Sequence, residues 1–221
     1  KGLVLGELDS FGSNWVDIEV KVPSTGKASL ENVQSIAGGV TITTLTYDDA
    51  KSVLALDNIS NIYAGVTTQA VFANGNEKKQ PMIFAVTPSY VDIDSGTVPT
   101  HGRFFTEEEH AAAAQVVVLG SSLKESLFGN DTAVGSNIKV GGKSFRVVGE
   151  LEERGATGFF NYDEIAYIPL KTAQKKMMGI DHVLFMIGQM INPDKSEATA
   201  EEIRWLIRER HDITDPDKDD F

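Results

Sequence analysis

The stretch 115–151, QVVVLGSSLKESLFGNDTAVGSNIKVGGKSFRVVGEL, contains the succession of elements on which the fold depends. Its valine run predicts a buried strand over Gln115–Leu119, and SSLKESLFG predicts one amphipathic helix closed by Gly129. Two alternating runs joined around Gly141-Gly142 then predict a hairpin. A strand, a helix and a hairpin within 37 residues, from 115 to 151, indicate a mixed α and β protein.

The segments before this stretch extend the same pattern. Asn14–Val22 alternates apolar and polar residues, which predicts a half-buried strand ended by Pro23. In LTYDDAKSVLALDN, Thr46 predicts the N-cap of a helix with acidic residues in its first turn. Asn74-Gly75-Asn76 separates two strand-like runs and predicts a hairpin, whereas Tyr90–Pro99 is predicted to be a loop.

A capping box and four further elements complete the pattern. Thr106 and Glu109 have the spacing of a capping box at the start of a helix. After the central stretch we predict a strand at IAYIPL and a basic helix at KTAQKKMMG. A further strand at HVLFMIGQM and an amphipathic helix at KSEATAEEIRWLIRERH follow.

These elements predict an α+β chain of two subdomains. Strand–helix units at both ends of the chain bracket a middle that is rich in glycine and hairpins. We therefore expect an outer subdomain formed by residues 1–88 and 181–221, and an inserted subdomain formed by residues 89–180.

Composition excludes several function classes. A formal net charge of −12 in 221 residues argues against a nucleic-acid partner, because phosphate backbones are bound by clustered Lys and Arg. The absence of cysteine excludes disulfides, thiolate zinc sites and cysteine nucleophiles. No run approaches the roughly 20 apolar residues of a membrane span. The sequence starts and ends abruptly, which we interpret as a segment of a longer protein.

The Gly120 loop is the strongest candidate for binding an anion. A strand, Gly120 and a helix follow one another as in phosphate-binding loops, but one glycine does not satisfy either phosphate-loop fingerprint. We therefore expect Ser121 and Ser122 to cap the helix. Gly142-Lys143-Ser144 also lacks its upstream glycine, because position 137 is Asn137, and it lies in a hairpin.

Candidate catalytic and metal-binding groups are isolated along the chain. Ser121 and Lys124 have the S-x-x-K spacing, without the accompanying K-T-G or S-D-N motifs. The sequence predicts that the histidines are exposed: His101, His110, His182 and His211. It predicts a solvated acidic turn, in place of a calcium loop, at Asp215, Asp217, Asp219 and Asp220. It also predicts that the adjacent carboxylates of Glu152 and Glu153 are solvated. We therefore predict no catalytic, cofactor-binding or metal-binding residues.

An aromatic group in TGFFNYD leaves two interpretations open. Phe159, Phe160 and Tyr162 are either an exposed contact surface for a partner or part of a loop that faces the core.

Several phrases, in order over nearly the whole chain, resemble the extracytoplasmic core domain of MacB-type and FtsX-like ABC transporter permeases. The phrases are LDSFGSNWVDIEV, LTYDDAKSVLAL, FAVTPSYVDI, GTVPTHGRFFTEEE, the central stretch from Val116 to Leu151, AYIPLKTAQKKMMG and IRERHDITDPDKDDF.

The resemblance implies a non-catalytic domain on the extracytoplasmic side of a membrane, with a Porter subdomain made from both chain ends and an inserted Sabre subdomain. It implies a second permease copy as a homodimer partner, a cytoplasmic ABC ATPase and, in some relatives, a membrane-fusion adaptor. Its implied role is mechanical: ATP binding moves the outer domains and thereby peptide, antibiotic or lipoprotein cargo. The segment through Trp15 and the helix Glu197–His211 are the expected coupling elements.

The alternative from another class is a free-standing soluble enzyme or ligand-binding protein that uses the Gly120 loop for an anionic ligand. A third hypothesis is an adhesion or scaffold module of a surface protein.

Overall fold

The computed structural model describes residues 3–4, 14–20, 42–157 and 160–221, which form an α+β fold. The chain divides by packing into two compact units, unit 1 with Lys1–Ala64 and Asp181–Phe221 and unit 2 with Gly65–Ile180. Residues 65–88 thus pack within unit 2. The assignment of functional subdomains to 1–88 with 181–221 and to 89–180 stays a prediction.

The described strands, in chain order, are β1 Leu3–Val4, β2 Trp15–Glu19, β3 Ile59–Gln69, β4 Phe72–Asn74, β5 Glu77–Lys79, β6 Met82–Val86, β7 Pro99–Gly102, β8 Val116–Leu119, β9 Asn137–Val140, β10 Lys143–Leu151, β11 Ala156–Thr157, β12 Phe160–Asn161, β13 Ala166–Pro169 and β14 Phe185–Met190. The described helices are α1 Tyr47–Leu54, α2 Tyr90–Ile93, α3 Glu107–Ala111, α4 Ser121–Phe128, α5 Leu170–Thr172 and α6 Ser196–Arg210. In the same part of the chain, 3₁₀ turns lie at Tyr162–Glu164, Pro193–Lys195 and Pro216–Lys218.

The described residues of unit 1 form a small sheet and two helices that pack on it. Strand β2 lies between β1 and β14 and is antiparallel to both, and the first half of β3 follows β14. Helices α1 and α6 pack on each other, and α1 also contacts β14. Their apolar faces meet the sheet in a core that includes Ile18, Val53, Met186, Ile203 and Ile207.

Local capping explains where α1 begins. The Thr46 hydroxyl accepts from the Asp49 N–H, and the Asp49 carboxylate accepts from the Thr46 N–H at 2.7 Å. This capping box satisfies two of the N–H groups that a helix start leaves without a partner. The predicted N-cap at Thr46 is confirmed, and so is the capping box of Thr106 and Glu109 at α3.

Unit 2 is built on a mixed sheet. Beyond the second half of β3, its strand order is β6-β13-β8-β10-β9-β4-β5, with β7 also paired to β10. The β6–β13 and β8–β10 pairs are parallel, and the other pairs are antiparallel. Strand β8 is buried on every residue, as its valine run predicts.

Both predicted hairpins are confirmed. Strands β4 and β5 pair around Gly75, and β9 and β10 pair around Gly141-Gly142. Gly141 and Gly142 have φ of 56° and 82°, which a two-residue hairpin turn of type I′ requires. Gly142-Lys143-Ser144 lies in this hairpin.

Two segments differ from the sequence-based expectation. Tyr90–Pro99, predicted as a loop, contains α2 and the first residue of β7. The buried Asp94 carboxylate orders this segment through local bonds to Tyr90 and Thr97 and through an ion pair with the distant Arg154, which the local sequence pattern does not reveal. The basic helix begins at Leu170 and continues as a π-helical turn over Ala173–Met178 before Gly179.

The remaining helices and strands confirm the predicted types. The predicted strand Asn14–Val22 is β2, and its last two residues, together with Pro23, lie outside the described residues. Strands β13 and β14 and helix α6 occupy the segments predicted for them.

Candidate functional site

The backbone of unit 2 covers the start of helix α4. The Gly120 N–H donates to the Ile165 carbonyl oxygen at 2.9 Å. A Cβ at Gly120 would lie 2.6 Å from the carbonyl oxygens of Tyr162 and Asp163. An anion that approached Gly120 would meet these carbonyl oxygens instead of free N–H donors. The glycine therefore serves close packing of α4 against the 3₁₀ turn at Tyr162–Glu164.

The predicted capping role of Ser121 and Ser122 is wrong. The N-cap of α4 is Gly120, and no side chain caps the helix. The packing just described explains this, because a cap residue with a Cβ does not fit at position 120. The serines consequently occupy the first helical turn, beyond the position from which a hydroxyl accepts the orphan N–H bonds.

Gly120→Ala tests the packing role of Gly120. We expect a loss of about 1–3 kcal/mol in the free energy of unfolding, because the added Cβ forces backbone carbonyls apart. Urea unfolding monitored by circular dichroism measures it. Ser122→Ala is the matched control and should stay within about 0.5 kcal/mol of the wild type. Equal stability of Gly120→Ala and the wild type would contradict this account.

Ser121 and Lys124 do not form a nucleophile–base pair. The Ser121 hydroxyl oxygen is buried and has no hydrogen-bond partner among the described residues. The Lys124 ammonium donates to the Gly129 carbonyl oxygen at 3.2 Å and lies 3.9 Å from Glu150. A serine nucleophile needs a base within hydrogen-bond reach, and Lys124 is engaged elsewhere.

A cavity of about 350 Å³ in unit 2 is lined by these side chains and by Glu150. Glu150 is buried, and one of its carboxylate oxygens accepts the N–H groups of Ala133 and Val134 at 2.6 and 3.1 Å. Its role is thus to fix the loop before β9. Glu152 and Glu153 at the rim are exposed, as predicted.

Arg154 and Asp94 form a buried ion pair in unit 2. The fully buried Asp94 carboxylate accepts from Tyr90 Oη at 2.5 Å, Thr97 Oγ1 at 3.1 Å and Arg154 Nη1 at 2.7 Å. The Arg154 guanidinium also lies over the Tyr162 ring, 3.7 Å from its centre. We name Tyr90, Asp94, Thr97 and Arg154 the Asp94 cluster; it ties α2 to the loop after β10.

The structure describes only part of the aromatic group in TGFFNYD. Phe159 and the side chain of Phe160 lie outside the described residues, so both interpretations of the group stay open. Tyr162 is half-buried beneath Arg154.

The histidines are not all exposed, so that prediction is wrong. His101 is 64% exposed, whereas His110 and His182 are buried and the His211 side chain is 7% exposed. Tertiary packing buries these three polar residues. The described residues contain no group of three or more His, Asp or Glu that could hold a metal ion.

The last seven residues of the chain fold back onto unit 1. Asp215 and Asp217 are exposed in a 3₁₀ turn, as a solvated acidic turn predicts, but Asp219, Asp220 and Phe221 are buried. The prediction of a solvated turn therefore fails for Asp219 and Asp220. The reason is that basic side chains at the end of α6 pair with them.

Six charged residues fasten this segment, and we name them the C-terminal latch. Arg208 binds Asp219 with two parallel bonds of 2.7 and 2.6 Å. Nδ1 of His211 lies 3.0 Å from Asp220, its Nε2 lies 3.4 Å from Asp49 of α1, and Arg210 donates to Asp49 at 2.5 Å. The members are Asp49, Arg208, Arg210, His211, Asp219 and Asp220.

Mutual interaction shifts the titration of these groups. The bonds to Asp220 and then to Asp49 raise the pKa of His211 to about 9. Burial alone would raise the pKa of Asp49, but its bonds to His211, Arg210 and Thr46 outweigh burial and lower it. Burial alone would also raise the pKa of Asp220, but its hydrogen bond to His211 outweighs burial and lowers that pKa. All three groups are therefore charged at neutral pH.

Within the described residues, no helix has both the length and the apolar character that crossing a bilayer requires.

Comparison with solved structures identifies the fold. The fold matches the periplasmic region of MacB from Actinobacillus actinomycetemcomitans with a TM-score of 0.76 and 20% identity, over 92% of this chain and 86% of that one. It also matches the extracellular domain of the noncanonic ABC-type transporter YknZ from Gram-positive bacteria, with a TM-score of 0.70 and 18% identity, over 89% of this chain and 95% of that one. The chain therefore shares its fold with these two domains.

The sequence comparisons identify the family. The model of the MacB-like periplasmic core domain matches residues 13–205, and the chain belongs to this family. A macrolide export ATP-binding/permease protein MacB of Chlorobaculum tepidum is 31% identical over 97% of this chain, and one of Nitrosomonas europaea is 28% identical over 96%. The chain spans 32% and 30% of those proteins, about one third of their length. It resembles the periplasmic core domain of a MacB-like ABC transporter permease, as the phrase pattern predicts.

Proposed function

We propose that this domain couples ATP binding and hydrolysis in the cytoplasm to movement outside the membrane, and that this movement exports a substrate. The domain itself is non-catalytic, and a separate cytoplasmic domain or subunit hydrolyses ATP. The similar proteins of Chlorobaculum and Nitrosomonas are named as ATP-binding/permease proteins, which supports an ATPase partner. The functional permease is a homodimer in which two copies of this domain move together.

The C-terminal latch supports this mechanical role most directly. It joins Asp219 and Asp220 to the end of α6 through Arg208 and His211, and His211 in turn contacts Asp49 of α1. A displacement of the terminal segment therefore acts on α6 and, through His211, on α1. Charge-assisted bonds between buried partners resist such a displacement better than exposed pairs, which water and salt screen.

Cargo and further partners follow from the relatives alone. Macrolide export in their names places an antibiotic among the candidate substrates, with peptides and lipoproteins as the other classes. The fold occurs both in a periplasmic region and in an extracellular domain of a Gram-positive transporter. A membrane-fusion adaptor is thus a partner only where a second membrane has to be crossed.

Arg204→Pro in the middle of α6 tests coupling. Proline removes a backbone hydrogen bond and kinks the helix, at about 3 kcal/mol or more. We expect the permease in vesicles to keep hydrolysing ATP while the amount of cargo exported per ATP falls at least several-fold. A macrolide is the first cargo to assay.

Arg204→Ala is the matched control, because it removes the same side chain and its contact with Glu201 but keeps the helix. It should export as the wild type does. A thermal melt of each variant verifies folding. Normal export per ATP in Arg204→Pro would contradict the coupling role of α6.

A further inference from the structure

The geometry around His211 requires a charged imidazolium ring. Its Nδ1 faces the Asp220 carboxylate at 3.0 Å, and its Nε2 faces the Asp49 carboxylate at 3.4 Å. Since a carboxylate oxygen accepts hydrogen bonds and has none to donate, a ring nitrogen that bonds to one must carry a hydrogen. Only the doubly protonated ring satisfies both contacts.

The charges around the ring balance. Asp49 on α1 and Asp220 in the terminal segment supply two negative charges, and His211 and Arg210 on α6 supply two positive ones. His211 is also the C-cap of α6, where the partial negative charge of the helix end favours a cation. The Phe221 ring packs edge-on, 6.3 Å from the imidazole, and is 2% exposed.

We infer that His211 is a positioning residue, protonated throughout the neutral pH range, that locks Asp219–Phe221 to helices α1 and α6, so that these three parts move as one body. The lock is a property of unit 1 alone. Its use in transmitting movement rests on the proposed function.

The titration of the surrounding groups sets the pH range of the lock. With its pKa raised to about 9, His211 contributes stability that is fully present below about pH 6.5 and is lost as the pH rises through about 9. Asp49 and Asp220 have lowered pKa values, so their contribution is present above the ordinary value of 3.8 and is lost as the pH falls through the lowered values. The lock therefore stays closed throughout the neutral range and is not a switch there.

The lock can be tested on the intact 221-residue chain. NMR titration of His211 should give a midpoint near 9. In His211→Gln, amide hydrogen exchange at Asp219, whose N–H donates to the Pro216 carbonyl oxygen, should be at least about tenfold faster than in the wild type, because a neutral amide with one donor nitrogen does not replace the two ring N–H groups and their positive charge. His101→Gln, at a side chain that is 64% exposed, is the matched control and should leave the exchange unchanged.

His211→Arg separates charge from mere packing. Arginine keeps the positive charge and presents donors in several directions, so it should restore slow exchange at least in part. A His211 midpoint near the ordinary 6.5, or exchange that is unaffected by His211→Gln, would overturn the lock whatever the domain does in transport.

A second arm tests the use of the lock in the full permease. Spin labels at Glu77→Cys, an exposed hairpin position in unit 2, report the distance between the two copies. His211→Gln should reduce the ATP-dependent change of this distance at least about twofold, and His211→Arg should restore it. A fast-exchanging terminal segment with an undiminished distance change would overturn the transmission role of the lock. A wild-type permease without any ATP-dependent change would instead count against the proposed function.

Discussion

Asp49→Ala is expected to lower the free energy of unfolding of unit 1 by about 3 kcal/mol, because it removes the counter-charge of Arg210 and one of the two carboxylates that face the buried His211 ring. The Asp49 side chain is 3% exposed, faces both Arg210 and His211, and completes the capping box of α1 with Thr46. Loss of that cap alone costs about 1 kcal/mol. Both tryptophans, Trp15 and Trp205, lie in unit 1, so urea unfolding followed by tryptophan fluorescence reports on this unit.

Asp48→Ala is the matched control, since the Asp48 carboxylate is 74% exposed and pairs with Lys51 within the same helix. Its loss should stay below about 1 kcal/mol. If the two alanine variants unfold at the same urea concentration, the latch contributes nothing to unit 1.

Asp94→Ala is expected to destabilise unit 2 by a similar amount, about 3–5 kcal/mol. The substitution leaves the Arg154 guanidinium, whose side chain is 14% exposed, without its counter-charge. It also removes the carboxylate that accepts hydrogen bonds from the Tyr90 and Thr97 hydroxyls. Hydrogen exchange of the amides in β8 and β13 measures the effect, because these buried strands exchange through opening of the unit.

Asp92→Ala provides the control for Asp94→Ala, because Asp92 is exposed on the same short helix. In Asp92→Ala we expect the amides of β8 and β13 to exchange as slowly as in the wild type. Unchanged protection in Asp94→Ala as well would show that α2 and the loop after β10 hold together without this ion pair.

Locally encoded features could be predicted from the sequence. The N-cap of α1 and the capping box of α3 depend on residues within one helical turn, and the hairpins depend on glycines that accept positive φ. The order of these phrases also sufficed to predict the family. In each case the information lies within a few adjacent residues or in their succession along the chain.

Features that depend on distant partners could not be predicted. Asp94 and Arg154 are 60 positions apart, and His211 and Asp49 are 162 positions apart. Nothing in DITDPDKDDF distinguishes the exposed Asp217 from the buried Asp219 until Arg208 is placed beside the latter. The helix expected to be a coupling element, Glu197–His211, carries Arg208, Arg210 and His211 of the latch, but the latch was not predicted and the coupling role stays a prediction.

Gly120 shows how a local pattern can mislead about its cause. A glycine between a strand and a helix is typical of phosphate loops, and the serines after it are typical caps. The constraint at Gly120 instead comes from the carbonyl oxygens of Tyr162 and Asp163, about 40 positions later in the chain. A close approach of two backbone segments and a phosphate-binding loop both require glycine, so the sequence pattern alone does not distinguish them.

The ATP-dependent distance between the two copies of this domain tests the central claim most directly. The chain contains no cysteine, so Glu77→Cys gives one spin label on each copy of the domain in an otherwise wild-type permease. The account predicts that the distance distribution measured by electron spin resonance shifts between the nucleotide-free and ATP-bound states. Identical distributions in both states, in a permease that hydrolyses ATP and exports its cargo, would contradict it.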